Sequence, residues 1–311
     1  MLESRPVKIS TPMRNPLPRR RVDGILLFHK PAGVTSNAAL QQVKRLFSAE
    51  RAGHTGTLDP MASGLLPICF GEATKFAAEL LDSDKRYLAR VRLGERTDTG
   101  DAEGTVIERR EVRVSRAQIT EALARFRGDI EQIPPMYSAI KHQGRPLYEY
   151  ARKGKEIERK PRQVRVRAIQ LCEFEAGEAL VTLTCSKGTY VRVLAEDLGE
   201  ALGCGAHLSG LVRMGVGPLC LEQAHTLDDL AESGEGARCA WLLPVDSLLL
   251  DHPAIRLPDP LALRFLHGQV IQYGTGRAGK VRVYGPGEVF LGVATLEAPG
   301  TVRPRRLLRQ D

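Results

Sequence analysis

An aspartate in a glycine-rich loop is the first candidate for chemistry in this sequence. Asp59 ends the run Gly53-His54-Thr55-Gly56-Thr57-Leu58-Asp59 and precedes a proline. On the local pattern alone, an aspartate before a proline is typical of a turn or a helix cap. A carboxylate buried beside a cation differs, because the pairing lowers its pKa and leaves an ionised nucleophile that needs no metal. Asp59 therefore indicates nucleophilic chemistry only if a cation from elsewhere in the chain reaches it.

The common signatures of nucleotide, metal and hydrolase sites are missing from the sequence. The Gly-Lys pair at 279–280 lacks the Ser or Thr and the full spacing of a phosphate-binding loop. No Gly-x-Gly-x-x-Gly opens a predicted helix, and neither His-Glu-x-x-His nor Gly-x-Ser-x-Gly occurs. The six cysteines form no Cys-x-x-Cys pair. The sequence therefore gives no support to a zinc peptidase, an α/β-hydrolase or a phosphate-binding loop.

Hydrophobic periodicity places the aspartate loop between a helix and a strand. Residues 23–30 form a short apolar run that predicts a buried strand. Leu40 and Val43 share one face of a predicted helix. Residues 51–64 break both periodicities with three glycines and a proline, which predicts a loop, and 65–70 predicts another buried strand.

The following segments indicate the fold class. Residues 85–93 alternate between an apolar face and a largely cationic face, the pattern of a half-buried strand. Helices are predicted over 115–126 and about 190–202, and strands over 163–174 and 180–185. Because strands and helices mix without a strict βαβ rhythm, we predict an α+β fold with a mixed, largely antiparallel sheet.

Length, charge and hydropathy limit the class of protein. The 311 residues suggest about two domains, and the net charge of +8 favours an anionic partner without saying which one. No apolar run approaches the roughly 18 residues of a membrane span. We therefore expect a cytoplasmic protein with no membrane partner.

Charge and proline distribution predict three parts of the chain. Residues 1–22 form a basic, proline-rich N-terminal arm, and 23–248 form the main domain. Residues 249–311 hold short strand-like runs and predict a small β-rich domain. Within the main domain, residues 141–167 carry ten basic and three acidic residues. This segment is either a phosphate-contacting surface or an ordinary solvated face.

Four ordered motifs across residues 23 to about 215 resemble those of the TruB family of tRNA pseudouridine synthases. The segment from His54 to Leu66 is similar to the catalytic motif of that family. The other three motifs are Lys30-Pro31-Ala32-Gly33-Val34-Thr35-Ser36, Lys85-Arg86-Tyr87 with Leu93 to Asp101, and Ser186-Lys187-Gly188-Thr189-Tyr190-Val191-Arg192. The last sixty residues resemble, less closely, the RNA-binding PUA domain that follows the catalytic domain in this family.

The resemblance implies roles for seven residues. Asp59 matches the nucleophilic aspartate, Tyr87 the residue that stacks on the target base, and Arg192 the ion-pair partner of the aspartate. Four further residues match positions that shape the base pocket, support it, or help to remove the base from its loop: His54, Tyr190, Leu211 and Lys30.

The implied function is isomerisation of uridine to pseudouridine at position 55 in the T arm (the T-psi-C loop) of tRNA. The reaction involves no net redox change, so no cofactor is expected. The target base must be flipped out of a structured loop, which costs a few kcal/mol of unstacking. The expected partner is tRNA, with no protein partner and a monomeric enzyme. Two alternatives stay open: a non-catalytic RNA-binding or tRNA-folding protein, and a pseudouridine synthase that acts on a different RNA.

Overall fold

The computed structural model describes residues 18–273, 276–297 and 300–309. The helices are α1 (Ser36–Leu46), α2 (Ala77–Asp82), α3 (Arg116–Arg125), α4 (Leu147–Ala151), α5 (Val191–Ala201), α6 (Leu227–Glu232), α7 (Glu235–Ala240) and α8 (Asp259–Leu266). The strands are β1 (Gly24–Lys30), β2 (Ala52–His54), β3 (Ser63–Phe70), β4 (Lys85–Leu93), β5 (Glu95–Thr97), β6 (Val106–Arg109), β7 (Gly128–Gln132), β8 (Lys141–His142), β9 (Arg145–Pro146), β10 (Arg162–Glu175), β11 (Glu178–Cys185), β12 (Ala206–Val216), β13 (Leu219–Cys220), β14 (Ala254–Arg256), β15 (Ile271–Gln272), β16 (Gly279–Tyr284), β17 (Phe290–Glu297) and β18 (Thr301–Leu307).

The first sheet dominates the molecule. Its strands lie in the order β1-β3-β12-β4-β11-β10-β7, with β2 paired to β3 and β13 paired to β12. The short β3–β12 contact is parallel, and the other pairs in this sheet are antiparallel. The predicted α+β class with a largely antiparallel sheet is confirmed.

Strand β4 lies in the middle of this sheet and has one apolar face. Ala89, Val91 and Leu93 are buried, whereas Arg90 on the opposite face is exposed. The apolar face packs in one core cluster with α3 and α5. Burial of that face stabilises the sheet by roughly 25 cal/mol for each Å² of apolar surface removed from water.

Helix α1 begins where a side-chain cap is available. The Thr35 side chain accepts a hydrogen bond from the Ala38 N–H, which satisfies one of the free donors of the first turn. Ala39, Leu40 and Val43 are buried against a second core cluster that includes residues of β1 and β3. The helix thereby covers the sheet beside the loop that carries Asp59.

The prediction of an uninterrupted loop over 51–64 is wrong at its start. Residues 52–54 form β2, whose backbone pairs with Ile68, Cys69 and Phe70 of β3. The glycines of this segment interrupt any strand pattern. Strand β2 forms because it pairs with β3, and its own three residues are too few to show a periodicity. Residues 55–62, including Asp59, lie outside regular strands and helices. The predicted loop is also two residues too long at its end, because β3 begins at Ser63.

A second sheet forms from the C-terminal residues, in the order β14-β16-β17-β18-β15. It has its own core and also touches the first part of the chain, where the Phe76 and Phe290 ring centroids are 5.8 Å apart. The boundaries at 22 and 248 stay a proposal. Most of the N-terminal arm, residues 1–17, lies outside the described residues. No helix in the described ranges is long and apolar enough to cross a membrane.

Candidate active site

A cleft of about 260 Å³ opens beside the Asp59 loop. Its walls come from that loop, from β4, from β12, and from the turn that leads into α5. It is lined by residues that include Thr57, Leu58, Asp59, Lys85, Tyr87, Tyr190, Arg192, Leu211 and Arg213. Five of the seven residues assigned by resemblance therefore meet around one cavity, although they are up to 152 positions apart in the chain (211 − 59).

The backbone on both sides of Asp59 is anchored to the segment between β1 and α1. The Leu58 N–H donates to Ser36 Oγ at 2.8 Å, and the Ser36 hydroxyl lies 3.0 Å from the Leu58 carbonyl oxygen. After the aspartate, the Pro60 carbonyl accepts from the Gly33 N–H at 2.8 Å. These contacts fix the position of the carboxylate before any substrate binds.

Arg192 is the cation that Asp59 requires. Its Nε lies 3.0 Å from Asp59 Oδ2 and 3.5 Å from Asp101 Oδ2. The Arg192 side chain is 4% exposed, whereas that of Asp59 is 38% exposed. Arg192 also donates to the Thr99 carbonyl at 3.3 Å and to the Tyr137 carbonyl at 2.7 Å. The guanidinium is thus held from several sides, while one face of the Asp59 carboxylate stays open to the cleft.

Opposing effects act on the Asp59 carboxyl. Burial raises its pKa above the ordinary value, and the positive charge of Arg192 acts in the opposite direction. The second carboxylate, Asp101, raises the pKa again because like charges disfavour ionisation. Burial outweighs the pairing with Arg192, so the pKa of Asp59 is raised on balance, and not lowered as the sequence led us to expect. The arrangement provides a carboxylate that is basic for its type and is held within reach of a group in the cleft.

Tyr87 brings an aromatic ring to the same cleft. It lies on β4, between Leu183 of β11 and Arg213 of β12 in the sheet register. Burial raises the pKa of its phenol, and the charge of Arg213 opposes that rise. Tyr87 is therefore a neutral phenol whose ring can contact an inserted base.

Tyr190 and Leu211 form further parts of the wall. Gln132 holds the Tyr190 backbone by accepting from its N–H at 3.0 Å and donating to its carbonyl at 3.2 Å. Leu211 lies on β12 opposite Ala89 and is buried. Both residues line the cleft.

Lys30 lies behind the cleft wall. Its ammonium donates to the carbonyls of Pro31 at 2.8 Å, Val34 at 2.7 Å and Pro60 at 3.4 Å. Burial lowers the pKa of Lys30 to about 8, although the Glu103 and Asp59 carboxylates oppose this change. The contacts join the β1–α1 segment to the residue that follows Asp59. A role of Lys30 toward substrate stays a prediction.

His54 lies at the end of β2 and is outside the residues that line the cleft. Its Nδ1 is buried without a hydrogen-bond partner in the described part of the chain. Burial lowers the pKa of His54, and the charge of Arg213 lowers it further. The imidazole is therefore neutral near pH 7. Its role in removing the base from the RNA also stays a prediction.

Two charged residues of the site, Asp101 and Arg213, were not among the sequence candidates. Asp101 is buried against Arg192, and Arg213 lines the cleft next to Tyr87. Asp101 ends the motif that contains Tyr87, which is a signal that could have found it. Arg213 had no comparable local signal. Within residues 18–273, 276–297 and 300–309, no group of three or more His, Cys, Asp or Glu side chains is placed to hold a metal ion.

Comparison with solved structures indicates the class of protein. The chain is similar to one in a structure titled "Crystal Structure of a Cbf5-Nop10-Gar1 Complex", at 25% identity and a TM-score of 0.71, covering 91% of this chain and 84% of that one. A second similar structure, at 23% identity and a TM-score of 0.69, is titled "Structure of H/ACA RNP bound to a substrate RNA containing 2'-deoxyuridine". The alignment with that structure covers 92% of this chain and 85% of the other chain, and this similarity supports the fold alone.

Sequence comparison gives the family. The descriptions that match are "TruB family pseudouridylate synthase (N terminal domain)" over residues 44–191, "tRNA pseudouridylate synthase B C-terminal domain" over 192–250, and "Pseudouridine synthase II TruB, C-terminal" over 253–308. A protein of Thiobacillus denitrificans named tRNA pseudouridine synthase B is 57% identical over 290 residues, which are 93% of this chain and 97% of that protein. A protein of Burkholderia lata with the same name is 53% identical over 310 residues, 98% of this chain and 96% of its own length. The fold and the matches define a pseudouridine synthase. More narrowly, the chain belongs to the TruB family, as its motifs predicted.

Proposed function

We propose that this enzyme converts uridine to pseudouridine at position 55, in the T arm of tRNA, with Asp59 as the nucleophile. The observation that carries the proposal is the Asp59–Arg192 ion pair, which lies at a cleft shared with Tyr87. The high identity to proteins named tRNA pseudouridine synthase B supports tRNA as the substrate.

The chemistry needs only a nucleophile, a held base and a fixed geometry. The C1′–N1 bond of the target uridine breaks, the uracil rotates, and C5 bonds to C1′. Asp59 acts at C1′, at C6 or on the C2′ proton, and the pairing with Arg192 favours its ionised form against the effect of burial. No electron acceptor, metal or cofactor enters this scheme.

Tyr87 compensates for part of the cost of extracting the base. Removing a base from its stack costs a few kcal/mol, and stacking on an aromatic side chain returns about 1–3 kcal/mol. Tyr190 and Leu211 limit the space around the base from the facing wall. Lys30 contributes through the loop that it fixes, because its ammonium is already bound to three backbone carbonyls.

The basic segment 141–167 supplies phosphate contacts in this proposal. Three of its arginines form ion pairs with acidic neighbours, namely Arg159, Arg165 and Arg167. Among the described residues, exposed cations of the same segment such as Lys141, Arg145, Lys153, Lys155 and Lys160 form no ion pair. Unpaired cations release counterions from RNA when they bind phosphate, which contributes to affinity. The C-terminal sheet adds RNA contacts as a PUA-like domain.

The test is incubation of the full chain with a T-arm stem-loop, followed by pseudouridine mapping at each uridine. We expect conversion at position 55 and at no other uridine. A matched stem-loop with cytidine at position 55 serves as the control and should give no pseudouridine. Binding without conversion would favour the non-catalytic RNA-binding alternative, and conversion only of another RNA would favour the second alternative.

We propose that the enzyme acts in the cytoplasm as a monomer and requires no protein partner. Light scattering coupled to gel filtration, carried out with and without the stem-loop, tests the assembly state. A mass of one chain per RNA is expected, and a stable dimer that retains full activity would contradict it.

A further inference from the structure

Arg213 is a buried cation whose charge is not balanced by a carboxylate. The residue is 1% exposed and is one of those that line the cleft. Its Nε donates to the Leu65 carbonyl at 2.7 Å, and its Nη2 donates to the Gly56 carbonyl at 3.2 Å. Within the described part of the chain it forms no ion pair. Carbonyl oxygens satisfy N–H groups, but they do not neutralise a positive charge.

Arg192, the other buried arginine of the site, is paired differently. Arg192 is buried to a similar degree and has two carboxylates, Asp59 and Asp101, within 3.5 Å of its Nε. Within the ranges that the structure describes, Lys30 and Lys85 are also buried without a carboxylate partner, but each ammonium uses its three N–H donors on three backbone carbonyls. A guanidinium has five N–H donors, so Arg213 keeps donors in excess of the partners that the described part of the chain gives it.

The backbone geometry fixes Arg213 in this position. Gly64 of β3 approaches so closely that a Cβ built on it would lie 2.5 Å from the Arg213 nitrogen and 2.4 Å from its carbonyl oxygen. Any other residue at 64 would push β12 away. In the register of β4 and β12, Arg213 is directly opposite Tyr87, the expected stacking residue. The guanidinium is also hydrogen-bonded to the Tyr87 phenol, so a base that lies on the Tyr87 ring is next to it.

We propose that Arg213 binds a carbonyl oxygen of the flipped uracil and stabilises the negative charge that develops on the base during isomerisation. The inference rests on the proposed function and assigns a catalytic residue to the same cleft. Such a preorganised donor in a site closed to water is most effective where charge develops in the transition state.

The need for this cation does not depend on the route of the reaction. If Asp59 attacks C1′ or removes the C2′ proton, the electron pair of the C1′–N1 bond leaves with the uracil and spreads from N1 to O2 and O4. If Asp59 attacks C6, the electron pair of the C5–C6 double bond moves onto C5 and O4. In the C6 route the C1′–N1 pair stays on N1 as C5 bonds to C1′, and loss of the C5 proton restores the C5–C6 double bond and expels the carboxylate from C6. In the other two routes C5 bonds to C1′ and displaces the carboxylate or, where C2′ lost its proton, Asp59 returns that proton to C2′; C5 then loses its proton. In every route N1 gains a proton and the carboxylate is regenerated. Atoms and electrons balance, and the transient charge lies on a uracil oxygen.

The first test compares Arg213→Lys and Arg213→Met with the wild type on stem-loops that carry uridine or 5-fluorouridine at the target. Fluorine withdraws electron density and stabilises a negative charge on the base, so the reaction depends less on Arg213. Because fluorine replaces the C5 proton, 5-fluorouridine cannot become pseudouridine, and the reaction of both substrates is followed as loss of the N1-linked nucleoside. We expect this single-turnover rate to fall about 100-fold on uridine in Arg213→Met, and clearly less on 5-fluorouridine. Arg90→Met, an exposed arginine on β4, is the matched control and should behave as wild type on both. Equal deficits on both substrates would mean a merely structural role and would overturn the proposal.

A second test needs no variant of Arg213 and therefore does not depend on the folding of one. Wild-type enzyme is given stem-loops with 2-thiouridine or 4-thiouridine at the target, because sulfur accepts hydrogen bonds poorly. One of the two substitutions should slow conversion by roughly tenfold or more, as expected for a lost hydrogen bond to a charged donor. Conversion of both at the rate of uridine would overturn the proposal. If wild type fails on uridine itself, the proposed function has failed; if only these comparisons fail, the role of Arg213 has.

Discussion

Arg192 Nε lies 3.0 Å from Asp59 Oδ2, yet the Arg192 side chain is 4% exposed and that of Asp59 is 38% exposed. Arg192 is therefore buried in the protein interior, whereas the Asp59 carboxylate faces the cleft. A symmetric buried pair would leave neither partner available to a substrate. This asymmetry lets the guanidinium orient the carboxylate and favour its ionised form while the open side of the carboxylate faces a reacting nucleoside.

Loss of Arg192 should affect stability and catalysis together. Arg192→Met leaves Asp101 buried without its cation, so we expect the free energy of unfolding to fall by about 3–5 kcal/mol and the single-turnover rate by at least about 100-fold. Arg192→Lys retains a charge but not the fork of N–H donors, and it should recover part of the stability and little of the rate. Denaturant titration and single-turnover assays measure the two effects. A stable, fully active Arg192→Met would contradict the assigned pairing.

The acid limb of the pH–rate profile should reveal the coupling of Asp59 with Asp101. Burial and the Asp101 charge both raise the pKa of Asp59. The rate should therefore decline as pH falls through a value above that of an ordinary aspartate, because protonation removes the nucleophile. In Asp101→Asn the like charge is gone, so the acid limb should move to lower pH. A limb that stays in place or moves to higher pH would contradict this coupling. Asp197→Asn, which leaves the Asp59–Arg192–Asp101 cluster intact, is the control.

Lys30 should make stability depend on alkaline pH. Its folded-state pKa of about 8 is below the ordinary 10.5. Between these values the unfolded chain binds more protons than the folded chain, so the free energy of unfolding contributed by Lys30 rises with pH across this window. Chemical denaturation of wild type and Lys30→Met at pH 7 and pH 10 isolates the effect. The wild type should gain stability relative to the variant on going to pH 10, and an unchanged difference would contradict the burial of the ammonium.

The basic segment 141–167 should account for part of the decrease in RNA affinity with rising salt concentration. Lys153→Gln with Lys155→Gln removes two exposed cations, and we expect the slope of log affinity against log salt to flatten by roughly 0.7–0.9 for each lost phosphate contact. The matched control is Arg125→Gln with Arg127→Gln, an exposed pair at the end of α3. Filter binding over a salt series gives the slopes. If both double variants flatten the slope equally, net charge rather than this segment determines binding.

Local pattern predicted the regular elements well because those elements bury one face. The alternation over 85–93 and the helical spacing of Leu40 and Val43 correspond to β4 and α1. β2 was not predicted, because a three-residue strand is defined by its partner β3 and not by its own sequence.

The site was accessible from sequence only through motif resemblance and only in part. Asp59 and Arg192 are 133 positions apart (192 − 59), and nothing in the spacing alone indicates that they pair. Arg213 donates to the Gly56 carbonyl although the two residues are 157 positions apart. The contact forms because β12 lies between β3 and β4 in the sheet. Lys30 matches a family position. The hydrogen bonds from its ammonium to three backbone carbonyls can be seen only in the folded chain.

The most direct measurement compares wild type with Asp59→Asn on a T-arm stem-loop, with pseudouridine at position 55 quantified by mass spectrometry. The amide keeps the size of the side chain but is not a nucleophile, so we expect the variant to bind the RNA and to form no pseudouridine. Asp84→Asn, an exposed aspartate paired with Arg167, should convert the RNA like wild type. Turnover by Asp59→Asn at a rate comparable to wild type would contradict the assignment of Asp59 as the nucleophile.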